Sequence, residues 1–128
     1  MMPGHSISLT LAVPFLHEQV TVHIDRPAGS RHPRFGFVYP INYGHIPGVP
    51  APDGDDLDAY YLTTTQVARA SGLVVAVIHR YSDDDDKLVV VEEKDEGITN
   101  DAIHRMVVFQ ELPGKYEIVR DSAGLGGR

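Results

Sequence analysis

Tyr39-Pro40-Ile41-Asn42-Tyr43-Gly44-His45-Ile46-Pro47, followed after five residues by Asp53-Gly54-Asp55-Asp56-Leu57-Asp58, is the stretch on which the reading of this chain turns. Its second half puts four carboxylates into six positions. Like charges this close disfavour one another's ionisation unless something positive sits among them. A hard divalent cation reverses that sign, and Mg²⁺ or Ca²⁺ selects an all-oxygen ligand set of this kind. A calcium-binding EF-hand is a weak match, because its glycine belongs at the sixth position and a glutamate at the twelfth. Here Gly54 is second and the twelfth residue counted from Asp53 is Thr64. A second run, Asp83-Asp84-Asp85-Asp86, precedes Lys87, and the two clusters hold eight of the eighteen acidic residues. The run with its lysine resembles a protease-cleavage tag, but it lies between two strand-like segments inside the chain. The reading is a divalent-metal site assembled from both clusters; for either run alone, the plain alternative is a solvated acidic turn.

Outward from that stretch the chain is mostly β. Val20, Val22 and Ile24 alternate with Thr21, His23 and Asp25, the period of a half-buried strand. Ile7, Leu9, Leu11 and Val13 read the same way, so a first strand is expected there, ended by Pro14. From His32 to Asp56 five prolines interrupt the chain, which predicts a structured loop; Phe35, Phe37, Tyr39 and Tyr43 pin it over a site. Strands are expected at 59–63, 73–79, 88–91 and 116–119. One helix is predicted over 100–112, capped by Asn100 or Asp101 and stopped by Pro113-Gly114. A Gly-rich tail after it is expected to fray. Short strands with a single late helix predict an α+β fold, mainly β, built as a small closed or partly closed barrel.

Composition bounds the function. The 128 residues fit a single domain, 1–128, with a sizeable core. A net charge of −7 argues against nucleic-acid binding by phosphate neutralisation. With no cysteine, disulfides and thiolate metal sites are excluded. The longest strongly apolar run, Leu73 to Ile78, is too short to span a bilayer as a helix. The first fifteen residues lack the pattern of a signal peptide, so a cytoplasmic address is expected. The histidines show no zinc spacing and read as ordinary polar residues.

The stretch from Tyr39 to Asp58 resembles the core signature of the soluble family I inorganic pyrophosphatases. In that family a Tyr-Pro-x-Asn-Tyr-Gly-x-Ile segment precedes an Asp-Gly-Asp-Pro-x-Asp motif at about this distance. Weaker similarity covers most of the chain, including Asp85-Asp86-Lys87-Leu88-Val89 and Gly114-Lys115-Tyr116. The resemblance implies an OB-like five-stranded barrel with a flanking helix, Mg²⁺ as cofactor, pyrophosphate or a related small phosphate as substrate, and a homo-oligomer. It implies Asp53, Asp58 and Asp85 as metal ligands, with Asp83 as a further one. Asp55 would help deprotonate the attacking water and Tyr43 would stand beside it. Lys87 and Arg31 would contact phosphate, with Tyr39 and Asn42 shaping the site.

The departures from the family pattern cluster at the phosphate-binding positions. The family's early Glu-x-Pro reads Ala12-Val13-Pro14, and its Lys-Tyr-Glu reads Thr21-Val22-His23. Its late Tyr-Lys pair reads Val108-Phe109, and the proline of the acidic motif is Asp56. A charged hydrogen bond is worth roughly 1.5–3 kcal/mol. Loss of two lysines and a tyrosine therefore implies transition-state binding weaker by about 10³-fold or more. Arg34, Arg80, His23 and His45 are candidate replacement donors. The sequence leaves three readings open: Mg²⁺-dependent pyrophosphate hydrolysis at a reduced rate, hydrolysis of another phosphoanhydride or phosphate ester, and a non-catalytic metal- or phosphate-binding relative.

Overall fold

In the computed structural model, which describes residues 7–121, the strand residues divide between two faces. Six strands are present: β1 (Gln19–Arg26), β2 (Asn42–Pro50), β3 (Asp56–Tyr61), β4 (Arg69–Arg80), β5 (Lys87–Val91) and β6 (Tyr116–Val119). They join in the order β1-β2-β3-β5-β4, and pairing of β1 with β4 closes the ring. β4 is long enough to serve twice: Arg69 to Leu73 pair with β1, while Val77 to Arg80 pair with β6. All ladders are antiparallel except β3–β5. The expected five-stranded barrel is therefore borne out, with one extra strand.

Side chains alternate across a strand, and this alternation makes two cores. Val22, Ile46, Leu57, Ala59, Tyr61, Val74, Val77, Leu88 and Val90 fill the barrel interior. Tyr60, Val75, Ala76, Ile78, Val89 and Val91 face outward, where Ile103, Val107 and Tyr116 cover them. Ile103 and Val107 come from helix α2 (Asn100–Val107), which lies on the outer face with its i, i+4 pair buried. No helix of the described residues is long and apolar enough to cross a membrane.

Four sequence expectations are corrected. Residues 7–13 are not a strand: Ile7–Ala12 form helix α1, continued by a 3₁₀ turn at Val13–Phe15. Leu9, Ala12, Val13 and Leu16 are the buried apolar positions, and their i, i+3, i+4, i+7 spacing is helical. The alternating pattern and the helical one coexist in that short segment, and docking against the barrel core chose the helix. Second, the stretch expected as loop contains β2. Its late prolines, Pro47 and Pro50, are accommodated where the β2–β3 register shifts between Ile46 and Pro50. Third, α2 ends at Val107, not Leu112. Fourth, its cap is Thr99, whose hydroxyl accepts from the Ala102 N–H at 3.1 Å, rather than Asn100 or Asp101. The Gly-rich tail lies outside the described residues from position 122.

Candidate active site

The signature stretch has a physical reason at nearly every position. Asn42 is fully buried and staples three segments. Its side-chain oxygen accepts from Ala28 N–H at 2.9 Å, and its amide donates to the Thr63 hydroxyl at 2.8 Å and the Thr65 carbonyl at 2.8 Å. Gly44 lies where β1 and β2 touch: an added Cβ would stand 1.9 Å from the His23 carbonyl oxygen. Tyr39 is buried, and its hydroxyl donates to Gln110 Oε1 at 3.3 Å. Tyr43 faces outward from β2, opposite Tyr60 on β3.

Register then assembles the polar centre. The parallel β3–β5 ladder pairs Ala59 with Leu88, which sets Asp58 beside Lys87 on the outer face. Lys87 is 2% exposed, and its Nζ lies 3.2 Å from Asp58 Oδ2 and 3.2 Å from Asp85 Oδ1. Both carboxylates thus converge on one ammonium. The Tyr43 hydroxyl donates to the same Asp58 oxygen at 2.9 Å, and the Lys87 nitrogen stands 5.6 Å from its ring centre. Burial, and after it the charge of Asp58, holds the Tyr43 hydroxyl well above its ordinary pKa. At neutral pH it is a proton donor to Asp58 and not a base.

A second network lies beside the first, and sequence reasoning missed most of it. Arg80 Nε and Nη2 donate to the two oxygens of Glu111 at 2.9 and 2.7 Å, a bidentate pair. Tyr60 adds a hydroxyl to Glu111 Oε2 at 2.6 Å, and Gln110 donates to the Tyr60 oxygen at 2.8 Å. Arg80 Nη1 also approaches Asp83 at 3.4 Å and Asp85 at 3.6 Å. Burial pulls the Arg80 pKa down, but the bonds and charge of Glu111 outweigh it, so the guanidinium stays charged. Arg80 was a candidate donor from sequence. Glu111, Gln110 and Tyr60 carried no motif; the turn after α2 brings Gln110 and Glu111 up to Tyr60 on β3.

Together Phe35, Phe37, Tyr43, Arg80, Asp85, Lys87, Phe109 and Gln110 line an open cleft of about 370 Å³. The sequence-predicted residues distribute unevenly around it. Tyr43, Asp58, Asp85 and Lys87 are brought together, and Asp83 joins through Arg80. Asp53 and Asp55 sit on the exposed β2–β3 connection, where Asp53 Oδ1 accepts from the Asp55 N–H at 2.9 Å. Arg31 ties its own loop, donating to the Gly36 carbonyl at 2.6 Å. Asp56 faces His45 at 3.8 Å, and His45 Nδ1 lies 2.8 Å from Asp25. In the second run Asp84 accepts from the Ser8 N–H of α1 at 3.0 Å, and buried Asp86 bonds His79 at 2.9 Å.

Among the described residues no group of three or more His, Asp or Glu is arranged to hold a metal ion. The donor set present is a two-carboxylate one. Asp58 and Asp85 each stand 3.2 Å from the same nitrogen, so those two oxygens are no further apart than twice that distance. Mg²⁺ is commonly held by one or two carboxylates, with waters and substrate phosphates completing its octahedron; the oxygen donors are of the type that ion takes, and the point on which they converge is occupied by Lys87 Nζ.

A closed five-stranded barrel with a lysine clamped between two carboxylates on its outer face defines an OB-like barrel with a polar surface site. The chain belongs to the inorganic pyrophosphatase family, whose sequence profile matches residues 18–119. Among solved structures it is similar to an inorganic pyrophosphatase from Ehrlichia chaffeensis, at 20% identity and a TM-score of 0.64, covering 88% of this chain and 89% of that one. An inorganic pyrophosphatase from Helicobacter pylori gives 17%, 0.62, 83% and 86%. The Thermus thermophilus inorganic pyrophosphatase gives 19%, 0.52, 94% and 92%. These likenesses carry the fold. No curated protein sequence matches significantly.

Proposed function

We propose that this chain hydrolyses inorganic pyrophosphate, or a close phosphoanhydride relative, with Mg²⁺ bound at Asp58 and Asp85. The observation that carries the reading is the convergence of both carboxylates on Lys87, which lines the cleft with Asp85. Charge supports the cation. Asp58, Asp83, Asp85 and Glu111 outnumber Lys87 and Arg80 by two among these contacts. A bare pyrophosphate would meet net negative charge there, and one divalent cation offsets the excess.

Mg²⁺ held by Asp58 and Asp85 would acidify the attacking water and offset charge on the phosphoryl oxygens. The chain's own residues do the rest. Lys87 fixes both carboxylates and, with three N–H donors, has one to turn toward a phosphoryl oxygen. Tyr43 keeps its proton and orients Asp58. Arg80, kept charged by Glu111, presents a second cation to the cleft. Asp53, Asp55 and Arg31 enter by their match to the family motif, Asp55 as the carboxylate assisting the water.

The test is phosphate release from pyrophosphate with excess Mg²⁺, with Asp58→Asn alongside. Release is expected to require Mg²⁺ and to fall about ten- to a hundredfold in the variant, the equivalent of one charge-assisted interaction. No release by the unaltered protein would sink the proposal.

A further inference from the structure

The cleft offers more than a phosphate site needs, because one of its walls is aromatic. Phe35, Phe37 and Phe109 line the same space as Lys87 and Arg80. Phe35 is 70% exposed, yet it is not loose. His32 stacks on its ring with centroids 4.9 Å apart and planes 29° apart, and stands 4.9 Å from Phe37 on the same terms of distance. His32 Nδ1 also accepts from the Arg34 and Phe35 N–H groups at 3.0 and 3.1 Å. The turn closes at Gly36, whose φ of +78° suits glycine and whose carbonyl is held by Arg31. The chain therefore fixes a large apolar ring in solvent, which raises free energy unless something covers it. Phe37 meets Phe109 at 5.9 Å and Tyr39 at 5.2 Å, tilted by 58° and 46°, so the aromatic wall continues inward as an angled cluster. Arg34 stands over the Phe35 ring, its guanidinium carbon 5.9 Å from the ring centre.

We propose that the substrate class of this cleft is an organic diphosphate bearing a planar ring, a nucleoside diphosphate in chemical terms. Its base stacks on Phe35, with Phe37 and Phe109 lining the same wall, while its phosphates face Lys87 and Arg80. This deepens the hydrolase reading and rests on it for the reaction. A volume near 370 Å³ lies in the range of sites for organic ligands, whereas pyrophosphate is two phosphoryl groups with no apolar surface. Every base has a π-face, so an aromatic platform recognises the ring without selecting its identity. In the reaction, water adds to the terminal phosphorus and the anhydride P–O bond breaks. Nucleoside monophosphate, phosphate and one proton leave.

The experiment measures binding of Mg²⁺-ADP and Mg²⁺-pyrophosphate by calorimetry, and phosphate release from each, for the unaltered protein, Phe35→Ala and Phe35→Tyr. Phe35 is exposed, so the alanine variant folds. Loss of stacking predicts that Phe35→Ala weakens ADP binding about five- to a hundredfold more than pyrophosphate binding, and that Phe35→Tyr restores it. Failure of ADP to bind, or equal losses for the two ligands, overturns the inference. So does a change of solution mass in Phe35→Ala with ADP affinity unaltered, which would give the platform to a second copy. The two readings fail separately. Pyrophosphate turnover without ADP binding overturns only the stacking. Phe35-dependent ADP binding without phosphate release from either ligand upholds the stacking and overturns the hydrolysis.

Discussion

Glu111→Ala is expected to cost about 3–5 kcal/mol of folding free energy, although Glu111 belongs to no recognisable motif. The residue is 2% exposed and gives both carboxylate oxygens to Arg80 and one of them to Tyr60. Removing one partner of a buried ion pair leaves the other charge uncompensated, at about 3–5 kcal/mol. Two features modify that figure in opposite directions. The Arg80 side chain is 19% exposed and keeps Asp83 and Asp85 at 3.4 and 3.6 Å, so water and these carboxylates recover part of the loss. Tyr60 is fully buried and would lose the acceptor for its hydroxyl, at about 1–3 kcal/mol. The range therefore stands. Small domains hold only about 5–15 kcal/mol in total, so the urea midpoint would shift visibly. Tyr60→Phe and the Glu111→Ala/Tyr60→Phe double variant complete a cycle, in which the pair should couple by at least about 0.5 kcal/mol. A loss below about 1 kcal/mol for Glu111→Ala would refute the view that this network is buried and holds Arg80 at the cleft.

Two further outcomes follow from the same geometry. Gly44→Ala drives a methyl into the His23 carbonyl, so β1 and β2 must separate; a loss of about 1–3 kcal/mol or more is expected by thermal or urea unfolding, and a neutral result would refute the close approach. Burial lifts the Asp86 carboxyl above the usual carboxylate value, against the opposing bonds from Arg80 N–H and His79. The folded chain then binds more protons than the unfolded one between the ordinary and the raised pKa, so this group's contribution to stability falls as pH rises through that window. Asp86→Asn keeps an acceptor for the Arg80 N–H and should remove that slope in urea midpoints taken from acid to neutral pH; a steeper fall in the variant would refute the assignment.

The strands were legible because each carries its alternation openly. Val20, Val22 and Ile24 point into the barrel as their spacing requires, and the final strand at 116–119 has the bounds its pattern predicted. Helix α1 was not, because six residues satisfy both periods and only the barrel end they plug decides between them. Strand β2 was hidden by its prolines, which lie at its far end where the ladder is already irregular. The turn after α2, where Gln110 and Glu111 N–H both bond the Val107 carbonyl, carries the Glu111 side chain to Arg80 and Tyr60. A sequence window around 108–112 contains no trace of partners thirty or more positions away.

The acidic clusters show why density of charge overstates a metal site. A run such as Asp83 to Asp86 reads as one feature, but its members point to different neighbours. Asp84 takes the N–H of Ser8 in α1, and Asp86 turns inward to His79 and the Arg80 backbone. Asp83 is drawn to Arg80, and Asp85 alone reaches Lys87. The first cluster divides likewise, with Asp53 bonded within its own turn, Asp56 toward His45 and Asp58 toward Lys87. Strand register selects Asp58, because parallel pairing of β3 with β5 places it and no other member of its cluster beside Lys87. Of the eight aspartates, Asp58 and Asp85 share one internal cation, Lys87, while Asp84 docks α1 and Asp86 bonds His79 and the Arg80 backbone. That division is consistent with a site that completes its coordination with substrate phosphate rather than from protein alone.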